Sequence, residues 1–246
     1  MVAPIPKTKA TELLEELSRF DELHLVMSEF RKNKYLIDIR KLLETNVDVA
    51  QLWICKGFVH SRAGEPKEMY DAFQNAQKLG AIDPDSMFNQ ATQYVLYGLF
   101  DEAIRAISLT KNTIAQEQLE RIALSTFAYD KIEKQELMAE TREKLQIRKN
   151  RLNDLSIDIN QAAQFVDIFF NFLREQNIRF GLVRHTIFDD EEYYLHFEAV
   201  ADLELTQDIL NKFDQYIAEH PEFYDINSKI NIILTPVSSI WHNFAA

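Results

Sequence analysis

Apolar residues recur along this chain in two different rhythms. From residue 12 to about 146 the spacing is helical, with a large apolar residue every three or four positions. Leu13, Leu14, Leu17, Phe20 and Leu23 form one stripe, and Tyr35, Leu36, Ile39, Leu42 and Leu43 form the next, with Lys32-Asn33-Lys34 between them. Further on, Leu119, Ile122, Ala123 and Phe127 form a third stripe, followed by Leu137, Met138 and Leu145 after a break near Asp130-Lys131. Near residue 155 the rhythm changes. Asp158 or Asn160 is placed to cap a helix carrying Phe165, Val166, Ile168, Phe169, Phe172 and Leu173. Phe180, Leu182, Arg184, Thr186 and Phe188 then share one parity, and Tyr193, Leu195, Phe197 and Ala199 share another. Asp189-Asp190-Glu191-Glu192 separates them, which predicts a β-hairpin. Leu205 to Glu219 returns to a helical pattern through Ile209, Leu210, Phe213 and Ile217, and Ile230 to Leu234 reads as a last strand ended by Pro236. The order α-β-β-α-β over residues 155–246 predicts an α+β domain with helices covering one face of a small sheet.

Within the helical part, one segment repeats at a spacing of 34 residues. Trp53, Gly57, Gly64, Glu68, Phe73 and Ala76 have counterparts at Met87, Ala91, Gly98, Glu102, Ile107 and Thr110, so both stretches read large, small, Gly, Glu, large, small. Small residues let paired helices approach closely, and a glycine accepts the left-handed conformation that ends a helix. The second helix of each pair then starts in Glu-Pro-Lys-Glu (65–68) or Phe-Asp-Glu-Ala (100–103), where an early proline or acidic residue suits a helix N-terminus.

Tyr97-Gly98-Leu99-Phe100-Asp101-Glu102-Ala103-Ile104 resembles the turn and second-helix start of the tetratricopeptide repeat family. Trp53, Gly57, Phe73 and Ala76 match that family's packing positions in the repeat before, while Pro84 stands about three residues later than the proline that usually closes a repeat. The resemblance is clearest over residues 48–115. Two repeats cannot bury a core alone, so the patterns at 12–44 and 115–146 are expected to form degenerate or capping hairpins. The fold expected is therefore mainly α, with a helical-hairpin solenoid at 10–150 followed by the α+β domain at 155–246. The resemblance also implies a groove for a protein or peptide partner, lined by Ile54, Phe58 and Ser61 in one repeat and Phe88, Thr92 and Val95 in the next. Ile54 and Phe58 stand where the carboxylate-gripping variant of the family has Lys and Asn, although Asn89 matches another Asn, so that variant's ligand is not implied. The alternative is a groove filled by the chain itself, from residues 1–10 or from the C-terminal domain.

Composition narrows the function classes. Only 5 Gly and 6 Pro occur in 246 residues, which favours helices joined by short turns. The net charge of -12 and the lack of any basic run argue against nucleic acid and anionic lipid as partners. Residues 151–246 hold 6 of the 27 Lys and Arg and 16 of the 39 Asp and Glu, a balance of -10, which leaves -2 for residues 1–150. That acidic part reads as a solvated surface, or as one that meets a basic partner or forms a homodimer. Cys55 is the single cysteine and lies in an apolar stretch, so a buried thiol is expected. The start Met-Val-Ala-Pro-Ile-Pro-Lys lacks a signal-peptide core, and no run of about eighteen apolar residues occurs, so a cytoplasmic protein is expected.

Chemistry is sparse. The chain has no Gly-rich phosphate loop, no His-Glu-x-x-His, no paired cysteines and no Gly-x-Ser-x-Gly, so neither an enzyme nor a cofactor is expected. Cys55 and His60 are spaced poorly for one helix face. If Asp190-Glu191 form a two-residue turn, His185 lies opposite His196 and shares a face with Glu198, a set able to hold a divalent metal. Asp-Glu is a poor two-residue turn, however, and a longer loop changes the pairing. The acidic run at 189–192 lacks the calcium-loop spacing. The expected function is a protein-interaction scaffold; the alternatives are a ligand-binding, metal-binding or hydrolytic C-terminal module, or a self-association module.

Overall fold

Glycines with positive φ set the chain's turns. Gly64 (φ +78°) follows helix α3 (Val49–Arg62) and Gly98 (φ +67°) follows α5 (Pro84–Val95). At the first, the Glu65 amide donates to His60 O at 3.0 Å and the Gly64 amide to Ser61 O at 3.4 Å. At the second, the Leu99 amide donates to Tyr94 O and the Gly98 amide to Val95 O, both at 3.0 Å. Every partner in the second turn is offset by 34 positions from its counterpart, so the repeat seen in the sequence is a repeat of helix-ending geometry. A computed structural model describes residues 7–19, 26–108, 110, 113–188 and 192–237. The described chain is mainly α with a small C-terminal sheet, in the element order that the patterning predicts.

The chain forms two compact units, residues 1–93 and 94–246, and the division falls inside α5. In the first unit, α1 (Lys9–Arg19) and α2 (Glu29–Leu43) both pack on α3, which pairs with α4 (Pro66–Lys78). Pro66 opens α4 at a position whose amide needs no helical partner, and Met69, Ala72, Phe73 and Ala76 bury one face at helical spacing. Gly57 is required by that pairing: a Cβ there would lie 2.2 Å from the Phe73 ring. Pro84, late for closing a repeat, instead opens α5, with the preceding Asp83 carboxylate accepting from the Ser86 amide at 3.0 Å. Phe20 and Leu23, expected on the first helix, lie outside the described residues.

The second unit contains α6 (Phe100–Ser108), α7 (Thr113–Thr126), α8 (Tyr129–Glu133), α9 (Ala139–Asp154) and α10 (Ile159–Glu175). Strands β1 (Phe180–Phe188) and β2 (Glu192–Ala199), helix α11 (Leu203–Glu219), the short α12 (Tyr224–Asn227) and β3 (Ile230–Pro236) complete it. Asp158 caps α10, its carboxylate accepting from the Gln161 amide at 2.8 Å. The sheet runs β1-β2-β3, antiparallel then parallel, and α11 supplies the crossover that a parallel pair requires. Tyr193, Leu195, Phe197 and Ala199 turn inward, and Phe197 meets Phe169 and Phe170 of α10 at ring separations of 5.4 and 5.3 Å.

The division expected near residues 150–155 is not where these compact units part. Phe100 of α6 packs on Phe170 at 4.7 Å and on Phe180 at 6.2 Å, and Phe127, after α7, packs on Tyr193 at 5.3 Å. The helices from α6 onward share an aromatic core with the sheet and belong to its unit.

Candidate functional site

The groove implied by the repeat resemblance falls on residues that differ in burial. Ile54, Phe58 and Ser61 are fully buried and form no open surface. Phe58 packs edge-on against Phe73 at 6.3 Å, and the Ser61 hydroxyl donates to the Gln93 side chain at 2.8 Å. Their neighbour Cys55 reaches Ala10 O at 3.5 Å, so this side of α3 is covered by α1 and by helical neighbours in the same unit. Phe88, Thr92 and Val95 are half-buried. The expected groove is thus filled over its first repeat, and residue 10 of the chain is part of the filling.

The opening lies on another face of α3. A groove of about 710 Å³ runs between α2 and α4 with α3 as its floor. Leu36, Ile37 and Leu43 line one wall, Ala72 and Asn75 the other, and Trp53 and Lys56 the floor. Trp53, Lys56 and His60 share one stripe of α3, whereas Ile54, Phe58 and Ser61 lie roughly a third of a turn away, at about 100° per residue. α2 is loosely embedded, with Ile39 its one fully buried residue. Phe30 is 80% exposed and Ile37 is 43% exposed, seven positions apart and so on one side of α2. This outward stripe was missed in the sequence because it crosses the apolar set Tyr35, Leu36, Ile39, Leu42 and Leu43. The signal present was a second apolar pair, Phe30 and Ile37, at two-turn spacing.

Polar groups at one end of the groove form a fixed network. His60 Nδ1 is hydrogen-bonded to Glu65 Oε2 at 2.7 Å, and Lys32 Nζ donates to Glu65 Oε1 and to Glu29 Oε1, each at 2.7 Å. Burial pushes the Glu65 carboxyl up, but its hydrogen bonds from Lys32 and His60 outweigh burial and hold it below the ordinary glutamate value. Burial pushes the Cys55 thiol up to about 12, which removes it as a thiolate nucleophile at neutral pH.

The second unit has a cleft of about 580 Å³ among α6, the α7–α8 junction and α10. Each carboxylate in it has a basic neighbour: Asp101 with Lys131 at 2.7 Å, Glu102 with Arg105 at 3.0 Å, Asp167 with Arg174 at 2.9 Å and Asp130 with Lys149 at 3.9 Å. Arg174 is further tied to Gly98 O at 2.9 Å.

The backbone register of the hairpin does not pair His185 with His196. Backbone pairing sets Arg184 opposite His196 and His185 opposite Leu195, with Phe188 opposite Glu192. Three residues therefore separate the paired ends where a two-residue turn was considered. The backbone register is thus shifted by one residue from the one that would set His185 opposite His196. Asp190 and Glu191, the supposed turn, lie outside the described residues. His196 is instead hydrogen-bonded to Thr235 on β3 at 2.8 Å. Among the described residues no cluster of three metal-ligating side chains occurs, and no helix is long and apolar enough to cross a membrane.

Compared with family models, curated proteins and solved structures, the chain matches none of them.

Proposed function

We propose that this protein is an interaction scaffold of tetratricopeptide type that holds a segment of a protein partner against α2, α3 and α4. The observation that carries this reading is the α2–α4 groove, where apolar side chains remain open to solvent beside a floor of Trp53 and Lys56. A half-exposed tryptophan among aliphatic walls is the kind of anchor around which binding energy concentrates. Lys56 Nζ stands 4.6 Å from the centre of the Trp53 ring, which holds the indole against the floor. The duplicated glycine turns support the family reading, since both hairpins end in the same hydrogen-bond pattern.

Affinity capture from native lysate tests the proposal, comparing the full wild-type chain with an Ile37→Glu, Trp53→Ala variant. An Ile114→Glu variant serves as control, because Ile114 is 59% exposed in the second unit. Partners lost by the groove variant and kept by the control are the expected result, with circular dichroism unchanged in both. Partners kept by the groove variant would contradict it.

A further inference from the structure

The unsatisfied charges of the groove say what kind of segment it fits, provided the scaffold reading above holds. Most charged side chains around α2 and α4 are paired within the molecule, including Lys32 with Glu29 and Glu65, Lys41 with Asp38 at 3.9 Å and Lys67 with Asp71 at 3.2 Å. Arg40, Lys56 and Glu68 line the groove and have no ion-pair partner among the described residues. They are also ordered along it. The Met27 amide donates to Arg62 O at 2.8 Å, so the start of α2 lies beside the end of α3. Phe73 meets Gly57, so α4 runs back along α3 in the same way. Arg40 therefore lies at the Trp53 end of the groove and Glu68 at the His60 end, with Lys56 between them. Trp53 and His60 are seven residues apart on α3, which is about 10 Å at the helical rise.

Backbone chemistry decides the conformation of the occupant. The walls and floor of the groove are helices, whose amides and carbonyls bond within themselves. The polar partners in the groove are scattered side chains on helices, with no strand edge among them, so an extended peptide finds no backbone ladder to join. A helix arrives with its backbone already satisfied and needs only an apolar face. We infer that the groove takes an amphipathic helix of a partner protein, with an acidic side chain facing Arg40 and Lys56. A basic side chain about two turns away, on the opposite flank, faces Glu68 on the α4 wall. Asn33 and Leu43, the outermost lining residues of α2, are ten positions apart, so the engaged helix is about three turns long.

Photo-cross-linking in the full chain tests this. Benzoylphenylalanine placed at position 37 is irradiated in native lysate, and the cross-linked partner segment is sequenced by mass spectrometry. The inference predicts a segment with apolar residues at helical spacing, with an acid and a base about two turns apart on opposite sides of the apolar stripe. It predicts that Glu68→Lys and Arg40→Glu each lower the yield about three- to five-fold, the effect of an exposed charge pair. It also predicts that reversing the facing charge in the partner restores the yield. A segment without helical periodicity, a second copy of this chain as the adduct, or yields indifferent to both reversals would overturn it. If capture is lost in the Ile37→Glu, Trp53→Ala variant while both reversals are silent, the scaffold reading stands and the charge-matched helix is wrong. If that variant retains its partners, the scaffold reading itself fails.

Discussion

The groove of the first unit and the cleft of the second are lined by similar mixtures of apolar and charged residues, but they differ in what is left over. In the second unit each carboxylate of the cleft has a cation nearby, and Arg174 is locked to a backbone carbonyl as well. In the first unit Arg40, Lys56 and Glu68 have no ion-pair partner among the described residues, and Ile37 is exposed in the groove that Trp53 also lines. Exposed ion pairs contribute little stability, so the pairing in the cleft matters mainly because it occupies the groups that a ligand would use. On the proposed reading, unpaired side-chain charge, more than cavity size, distinguishes the groove from the cleft.

The largest effects should come from breaking the aromatic core of the second unit. Phe170 touches Phe100, Phe169, Phe180 and Phe197, and Phe170→Ala is expected to cost about 3–5 kcal/mol. Hydrogen exchange should accelerate first in residues 94–237. Uniform acceleration through residues 26–93 would contradict the division into two units. Gly57→Ala comes next, at about 1–3 kcal/mol by overpacking against Phe73. Trimming the ring in a Gly57→Ala, Phe73→Leu double variant should recover part of that loss in urea unfolding, and strict additivity of the two changes would refute the contact.

The glycine turns sharpen the comparison at smaller amplitude. Gly64→Ala and Gly98→Ala each place a side chain at positive φ, for about 1–2 kcal/mol. Equal losses in thermal unfolding are expected because the two turns have matching hydrogen bonds; a silent Gly64→Ala would contradict the strain. These turns were legible in the sequence because their chemistry is local, contained in the six residues His60–Glu65 and again in Tyr94–Leu99. The succession of helices and strands along the C-terminal part was legible for the same reason, as periodicity is a property of each segment. What a segment packs against is not local. Phe100 and Phe127 fit a helical period, yet nothing in that period says that their partners are Phe170 and Tyr193. Ile54 and Trp53 are adjacent apolar residues on one helix, and only the placement of α1 and α2 decides which is buried and which is available. The hairpin register was not legible because a loop of two residues and one of three leave the strand patterns unchanged while moving the partner of His185 from His196 to Leu195.

The smallest effect concerns the polar end of the groove. Because the Glu65 carboxyl is held below its ordinary value in the folded state, its stabilising contribution is complete above the unfolded glutamate value of about 4.3 and is lost as pH falls through the lower folded value. A Glu65→Gln variant should therefore be less stable than wild type at pH 6, and the gap should close as the solution is acidified below that range. A gap that widens on acidification would show that the Lys32–Glu65–His60 network does not act as described.

The difference between the two clefts is tested most directly by placing the same photo-cross-linker at two positions in the full chain, Ile37 in the groove and Gln164 in the cleft, in native lysate. Protein adducts from position 37 with none above background from position 164 are predicted. Adducts from position 164 alone would place the binding surface in the second unit and contradict the account.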